Sequence, residues 1–477
     1  MSDAIYKRNV PIYLLSSILT KIFGFGLLTY YARVLSLDEI GIISLCESFA
    51  QISLIIVSLY LDSAFVRYYY EERYAKLERQ ISFASTHFLF ILFWGVSVTL
   101  ITAMWIKKYD IGIPDSSGWT IFLIMITGLF NQLFFLLSSV WMANYKSKHV
   151  LISNIIFSLV GFITTILLIS CMGFNWQGRI VALLSVSIVQ LMLVIYVFKS
   201  FGWLRFRVDF GILKRSTKYS VPLIPNLAAG WISMFADRFI LNYYGSLEQV
   251  GIYSVSAYLT LSLYMINDAF SKVNGPATLS NLVDDTETAS IKLARYLHVF
   301  VPCMLIAYLL VSWLTPVVII VFFDENFIQV TTVVLILGWT FVFSGIYRIF
   351  TNVISFKEKT WLISIGAIFQ ALINVILNFL FIPKFGILAA ALSTSLSMLI
   401  YTVFLVFASQ KLYKIKILKR LSVPFLIAFI YSVSSLYVEF TESHDLYFSI
   451  SIGLICLVSL VIFAVLMYKT SELAYRI

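Results

Sequence analysis

The stretch Ser220–Ser254, SVPLIPNLAAGWISMFADRFILNYYGSLEQVGIYS, reads for most of its length as a helix buried in a membrane. Near the end of that helix stand two full charges, Asp237 and Arg238, followed by a short polar turn and a second apolar run. A charge at the bilayer centre costs about 2.5–3.5 kcal/mol on insertion scales, so it persists where it faces a partner or a wet cavity. The same stretch also carries the motif, SLEQVGIYS, that exposes the architecture of the whole chain.

The surrounding composition makes a membrane protein the only workable reading. The 477 residues are 60% hydrophobic and 12% charged, with a mean hydropathy of +0.93. Soluble domains carry about a quarter charged residues, and no soluble core could hide this much apolar side chain. Cys46, Cys171, Cys303 and Cys456 lie far apart in or beside apolar runs, without the spacing of a zinc site or a disulfide framework. The basic leader MSDAIYKRNV runs into an apolar segment too long for a signal-peptide core, so a retained first helix is expected.

About 20 apolar residues cross a bilayer core as helix. Fourteen segments qualify: 11–34, 40–62, 82–105, 119–142, 150–171, 178–198, 219–244, 250–271, 297–322, 328–350, 361–382, 386–409, 421–438 and 446–467. With the N-terminus inside, 27 of the 34 Lys and Arg residues fall on the inner side and five on the outer, while Lys21 and Arg238 lie within spans. Basic loops stay cytoplasmic; both termini are therefore expected there. The net charge of +10 then reports membrane orientation, with no nucleic-acid partner.

The chain also repeats itself. SLDEIGIIS (Ser36–Ser44) answers SLEQVGIYS (Ser246–Ser254) at an offset of 210 residues. Val10-Pro11-Ile12 answers Val221-Pro222-Leu223, and KSKHVLIS (Lys146–Ser153) answers KEKTWLIS (Lys357–Ser364), both at 211. ALLSVSI (Ala182–Ile188) answers AALSTSL (Ala390–Leu396) at 208. Six spans separate equivalent points, an even number, so the halves enter the membrane the same way round as parallel repeats. The expected architecture is an all-α membrane protein of 14 transmembrane helices: two parallel-related six-helix lobes, 1–199 and 219–410, around a central cavity, plus two extra helices in 411–477. The basic segment 200–218 joins the lobes on the cytoplasmic side. Its Phe201, Trp203, Leu204, Phe206 and Phe210 suit either an amphipathic segment on the anionic inner leaflet or an ordinary basic loop.

Six charges fall inside spans: Lys21, Glu47, Asp62, Asp237, Arg238 and Asp268. Each has a plain reading, an interhelical ion pair, and a functional one. Lys21 lies about 15 Å past Pro11, too deep for easy snorkelling. Lys21 and Arg238, one from the first helix of each half, would give a shared cavity two fixed cations, and the planar fork of Arg suits phosphate. Glu47, Asp237, Asp268 and Asp62 are the candidates for ion coupling. Asp62 and Asp268 sit near the inner ends of spans, where water reaches them and an ion pair is the simpler role. Neighbouring in sequence, Asp237 and Arg238 point about 100° apart and are expected to need separate partners. Gln370, Asn374 and Asn378 form one helical stripe, which suits either sugar hydroxyls or an interhelical amide ladder.

The sequence contains no GxxxxGK[ST], HExxH or GxSxG, and its histidines, His87, His149, His298 and His444, are scattered. Neither an enzyme nor a cofactor or metal site is expected.

Three segments resemble those of the polysaccharide repeat-unit (O-antigen, Wzx-type) flippases, in the superfamily that also holds the MATE transporters and the lipid II flippase. They are GFGLLTYYARVLSLDEIGIIS (Gly24–Ser44), Val221–Ser254 with its Pro-Leu-Ile-Pro and Asp-Arg-Phe-Ile-Leu elements, and FIPKFGILAAALSTSLS (Phe381–Ser397). WQGRI (Trp176–Ile180) has the same look, and the likeness runs over most of residues 5–410. The resemblance implies a monomer in the bacterial cytoplasmic membrane that moves an undecaprenyl-diphosphate-linked oligosaccharide to the outer face by alternating access, ion-coupled or not, in O-antigen or other lipopolysaccharide assembly. It implies membrane lipid, a polysaccharide polymerase and chain-length proteins as partners. It makes Arg238 a candidate for the diphosphate and the two extra helices a candidate groove for the lipid tail. A MATE-like proton- or sodium-coupled multidrug exporter is the alternative.

Overall fold

The computed structural model describes residues 2–72, 76–106, 118–144, 146–206, 208–284, 286–415, 421–440 and 446–473. Among the basic residues used for orientation, Arg73, Lys107, Lys108, Arg207, Lys416, Lys419, Arg420 and Arg476 lie outside the described residues. The described residues are helical with short connections and contain no strand. Nine of their helices are long and apolar enough to cross a membrane. Helix is the form expected of a lone segment in hydrocarbon, because it satisfies every backbone N–H and C=O internally.

The chain divides into two compact units, Met1–Trp231 and Ile232–Ile477. The first unit runs α1 (Ser2–Val34), α2 (Leu37–Ser58), α3 (Leu61–Glu72), α4 (Leu77–Ile106), α5 (Gly118–Ala143), α6 (Ser147–Ile166), α7 (Trp176–Ser200) and α8 (Phe210–Ser220). A π-turn over Leu167–Cys171 extends α6. Helix α9 (Ile224–Tyr244) follows a 3-10 turn at Val221–Leu223 set by Pro222, and its first two turns belong to the first unit. There Trp231 Nε1 donates to the Ser48 carbonyl at 2.9 Å. The second unit continues with α10 (Leu247–Asp284), α11 (Thr286–Phe322), α12 (Val330–Phe356), α13 (Trp361–Leu412), α14 (Ser422–Phe440) and α15 (Leu446–Leu473).

The sequence repeats do matching work in the two units. Ser36 caps α2: Glu39 N–H donates to Ser36 Oγ at 3.3 Å, and Ser36 N–H donates to the Glu39 carboxylate at 2.9 Å, a reciprocal capping box. Ser246 takes the same post before α10, its Oγ accepting Gln249 N–H at 3.2 Å. The central helices correspond as well. Of the candidate span windows, α5 is 61% buried and α12 is 67% buried, the highest shares in their respective units. Each carries a glycine at the same repeat position. A Cβ on Gly128 would lie 2.5 Å from Ser53 Oγ, and one on Gly338 would lie 2.6 Å from the Tyr308 ring. In lipid no hydrophobic force drives helices together, so such close approaches supply the packing energy.

One boundary departs from the sequence reading. The second span ends at Ser58, where Leu59 and Tyr60 take left-handed φ of 47° and 56°, so Asp62 begins a separate helix. The eleventh and twelfth expected spans follow one another without a loop as the two halves of α13, 52 residues in all, which meet at a kink. The kink falls at Gly386, with φ 54° and ψ −131°, a conformation open essentially to glycine alone.

Candidate functional site

The charged pair of the opening stretch lies at the centre of a buried polar cluster in the second unit. Asp237 on α9 is 1% exposed. One of its oxygens accepts from the Tyr253 phenol of α10 and from Thr394 Oγ1 of α13, the latter at 3.5 Å. The other accepts the Arg238 N–H at 2.9 Å and stands 3.7 Å from Arg238 Nη1. The long Arg238 side chain curls back on its own helix to within ion-pair distance of the neighbouring carboxylate, while each group keeps separate hydrogen-bond partners. Arg238 Nη1 also donates to the Met234 carbonyl at 2.6 Å, and Nε to Ser254 Oγ at 3.3 Å. Its guanidinium sits over the Phe235 ring, 5.1 Å from the centroid.

The amide stripe continues this cluster. Gln370, Asn374 and Asn378 are all buried on α13. Gln370 Oε1 accepts from Ser233 Oγ at 2.6 Å, and Asn374 Nδ2 donates to Thr394 Oγ1 at 3.1 Å. Asn378 Nδ2 donates to Asn374 Oδ1 at 3.1 Å, leaving Asn378 Oδ1 buried without a hydrogen-bond partner. These bonds join α9 to α13 through Ser233 and Gln370, and the two halves of α13 through Asn374 and Thr394. The hydroxyls that complete the cluster, Tyr253 and Thr394, were missed. They lie within the repeated motifs SLEQVGIYS and AALSTSL, which was the available signal.

The remaining candidates are dispersed. Lys21 lies on α1, 13 residues before its C-terminal Val34 or about 20 Å of helix, with an exposed side chain. Glu47 on α2 accepts from both Nε (3.1 Å) and Nη2 (2.9 Å) of Arg179, at the start of α7. Asp268 pairs with Lys272 one turn along α10 at 2.8 Å. Asp62 is 7% exposed and lies within 3.4 Å of Ser58 Oγ. The expected access of interfacial water to Asp62 is thus corrected, and burial pushes its carboxyl up to about 6. Among the described residues, no group of three or more His, Cys, Asp or Glu is placed to hold a metal ion.

The fold, compared with known structures, has clear counterparts. The fold is similar to that of the lipid II flippase MurJ in an inward closed conformation, with a TM-score of 0.72 at 16% identity over 95% of this chain and 98% of that one. It is also similar to a multidrug resistance MATE family transporter of the MOP superfamily in an inward-facing conformation (TM-score 0.62, 14% identity, 83% of this chain and 94% of that one). A MOP superfamily transporter from Pyrococcus furiosus, described by the reverse polarity of its binding pocket, is similar at a TM-score of 0.55 and 14% identity over 86% and 96% of the two chains. No curated protein sequence is similar enough to match. The chain is thus an all-helical, multi-pass membrane protein with the fold shared by MurJ and the MATE transporters. Residues 6–278, more than half of the chain, match the family described as polysaccharide biosynthesis protein, and the chain belongs to that family.

Proposed function

We propose that this chain flips an undecaprenyl-diphosphate-linked oligosaccharide repeat unit from the cytoplasmic to the outer face of a bacterial cytoplasmic membrane, by alternating access and driven by an ion. The carrying observation is Lys21, an exposed residue well inside helix α1 of a chain from a polysaccharide biosynthesis family. An ammonium at that depth is costly against lipid and favourable against water or an anionic headgroup. Lys21 is accordingly the diphosphate-binding cation in this proposal.

The buried cluster is the ion-coupling site. Asp237 is held by the hydroxyls of Tyr253 and Thr394, and the unspent lone pairs of Asn378 Oδ1, further along the same hydrogen-bonded chain, offer a further acceptor. That donor set suits a proton or a small hard cation, and Asp237 exchanges it as the lobes move. Arg238 gives its donors to Met234, Ser254 and Asp237, so its role is to hold the carboxylate in place. Gln370, Asn374 and Asn378 line the same site.

Deletion of the gene in its host tests the reading. The expected result is loss of one surface polysaccharide, with its lipid-linked repeat unit accumulating on the inner face. Unchanged surface glycan together with sensitivity to cationic drugs would favour a multidrug exporter, which the likeness to a multidrug resistance MATE transporter keeps as the alternative.

A further inference from the structure

Helix α8 presents a face that the first unit does not use. Its inner side is bolted down. Ser216 Oγ meets His87 Nε2 of α4 at 3.0 Å, and the Asp209 N–H donates to Thr86 Oγ1 at 2.9 Å. Arg215 pairs with Glu71 and lies 3.5 Å from Glu72 of α3 while stacking over Tyr68, 4.1 Å from the ring centroid. Asp209 also caps the helix, accepting from Gly211 N–H at 2.8 Å and Ile212 N–H at 3.2 Å. The orientation of α8 on the unit is therefore fixed, and so is the direction of its outer side.

That outer side combines apolar rings with positive charge. Phe210, Lys214 and Lys218 follow one another at i, i+4 and i+8, all exposed. Phe206 just before the helix is 91% exposed and Phe210 79% exposed, with exposed Arg205 beside them. Rings this open to water are costly at about 25 cal/mol per Å² of apolar surface. The segment lies between the end of α7 at Ser200 and the start of α9 at Ile224, and its 11 helical residues span only about 17 Å. It cannot travel far from the mouth of the membrane. Aromatic rings interleaved with Lys and Arg on one side of a short helix are the composition of an interfacial segment, rings among acyl chains and cations among phosphates.

We infer that the outer face of α8, Phe206 and Phe210 flanked by Arg205, Lys214 and Lys218, is a docking surface for anionic phospholipid of the cytoplasmic leaflet. Through the Arg215–Glu71 and Ser216–His87 contacts, the lipid surface grips α3 and α4 directly. Each lysine near an anionic surface is worth a factor of about five in local lipid preference.

The full-length chain tests this with its four native cysteines replaced by serine and a fluorophore placed on Phe206→Cys. The protein is reconstituted in phosphatidylcholine vesicles holding equal small fractions of either spin-labelled phosphatidylglycerol or spin-labelled phosphatidylcholine. The expected result is strong quenching by both lipids, severalfold greater with phosphatidylglycerol. Lys214→Gln and Lys218→Gln should each cut that excess by up to about fivefold, and the double variant should bring it closest to the phosphatidylcholine level. Equal quenching by the two lipids in the parent protein overturns the inference. So does a label reached by aqueous iodide and by neither lipid, which would place this face in the cytosol and open to a protein partner. Both lysines are exposed, so their variants fold, and an unchanged Tm verifies it.

Discussion

Tyr253 on α10 gives its phenolic hydrogen to Asp237 on α9, sixteen residues earlier, and the two share Thr394 of α13 as a common neighbour. A tyrosine, a threonine and an arginine thus surround one carboxylate from which water is excluded. The arrangement has a structural cost and a proposed use, and the two can be measured separately.

The structural cost shows in Arg238→Ala. Removing the guanidinium leaves Asp237 buried beside no cation, and breaking a buried pair from one side costs about 3–5 kcal/mol. The variant should lose several degrees of Tm in detergent, with part of the loss recovered in the double variant Arg238→Ala/Asp237→Asn. A single variant as stable as the parent would show that the guanidinium does not support the carboxylate.

The proposed use shows in Asp237→Asn, which keeps the shape and removes the charge. Transport into proteoliposomes should lose its dependence on an imposed ion gradient, and the rate should fall at least tenfold. Gradient dependence equal to that of the parent would remove Asp237 from coupling.

Asp62 supplies a pH signature. Its carboxyl is pushed up to about 6 by burial, above the unfolded value of about 3.9. Burial favours the protonated acid, so its stabilising contribution is complete below about pH 4 and is lost as pH rises through about 6. Relative to Asp62→Asn, the parent should lose on the order of 2 kcal/mol between those limits. Thermal unfolding of both proteins across the range measures it, and parallel curves would show that Asp62 is not buried as described.

Gly386 fixes the bend in α13. Alanine at φ 54°, ψ −131° is strained by about 1–3 kcal/mol, and its Cβ would press the Gln249 side chain at 3.3 Å. Gly386→Ala should lower Tm and membrane yield together, whereas a neutral result would mean that α13 is straight there.

Much of this was legible from the chain, for local reasons. Apolar length marks a span wherever it occurs, and the Ser-Leu-acid start of SLDEIGIIS and SLEQVGIYS carries its own capping chemistry, so Ser36 and Ser246 could be paired before any coordinates. Long-range partners carry no such mark. Nothing in the residues around Glu47 announces Arg179, 132 positions later, as the cation it meets. The orientation of Asn374 and Asn378 was equally hidden, because a polar stripe looks the same whether it faces water or a neighbouring helix. The additional approach of Arg238 to Asp237 was not foreseen, because the directions of adjacent Cβ atoms say little about where a long guanidinium ends.

The central claim is that Lys21 serves the headgroup of a lipid-linked glycan. Its most direct measurement is the rate at which a fluorescent undecaprenyl-diphosphate oligosaccharide crosses proteoliposome membranes holding the parent protein or Lys21→Ala. The account predicts acceleration by the parent, a rate near that of protein-free vesicles for Lys21→Ala, and equal Tm for the two. Equal rates for both proteins, or no acceleration by the parent, would contradict it.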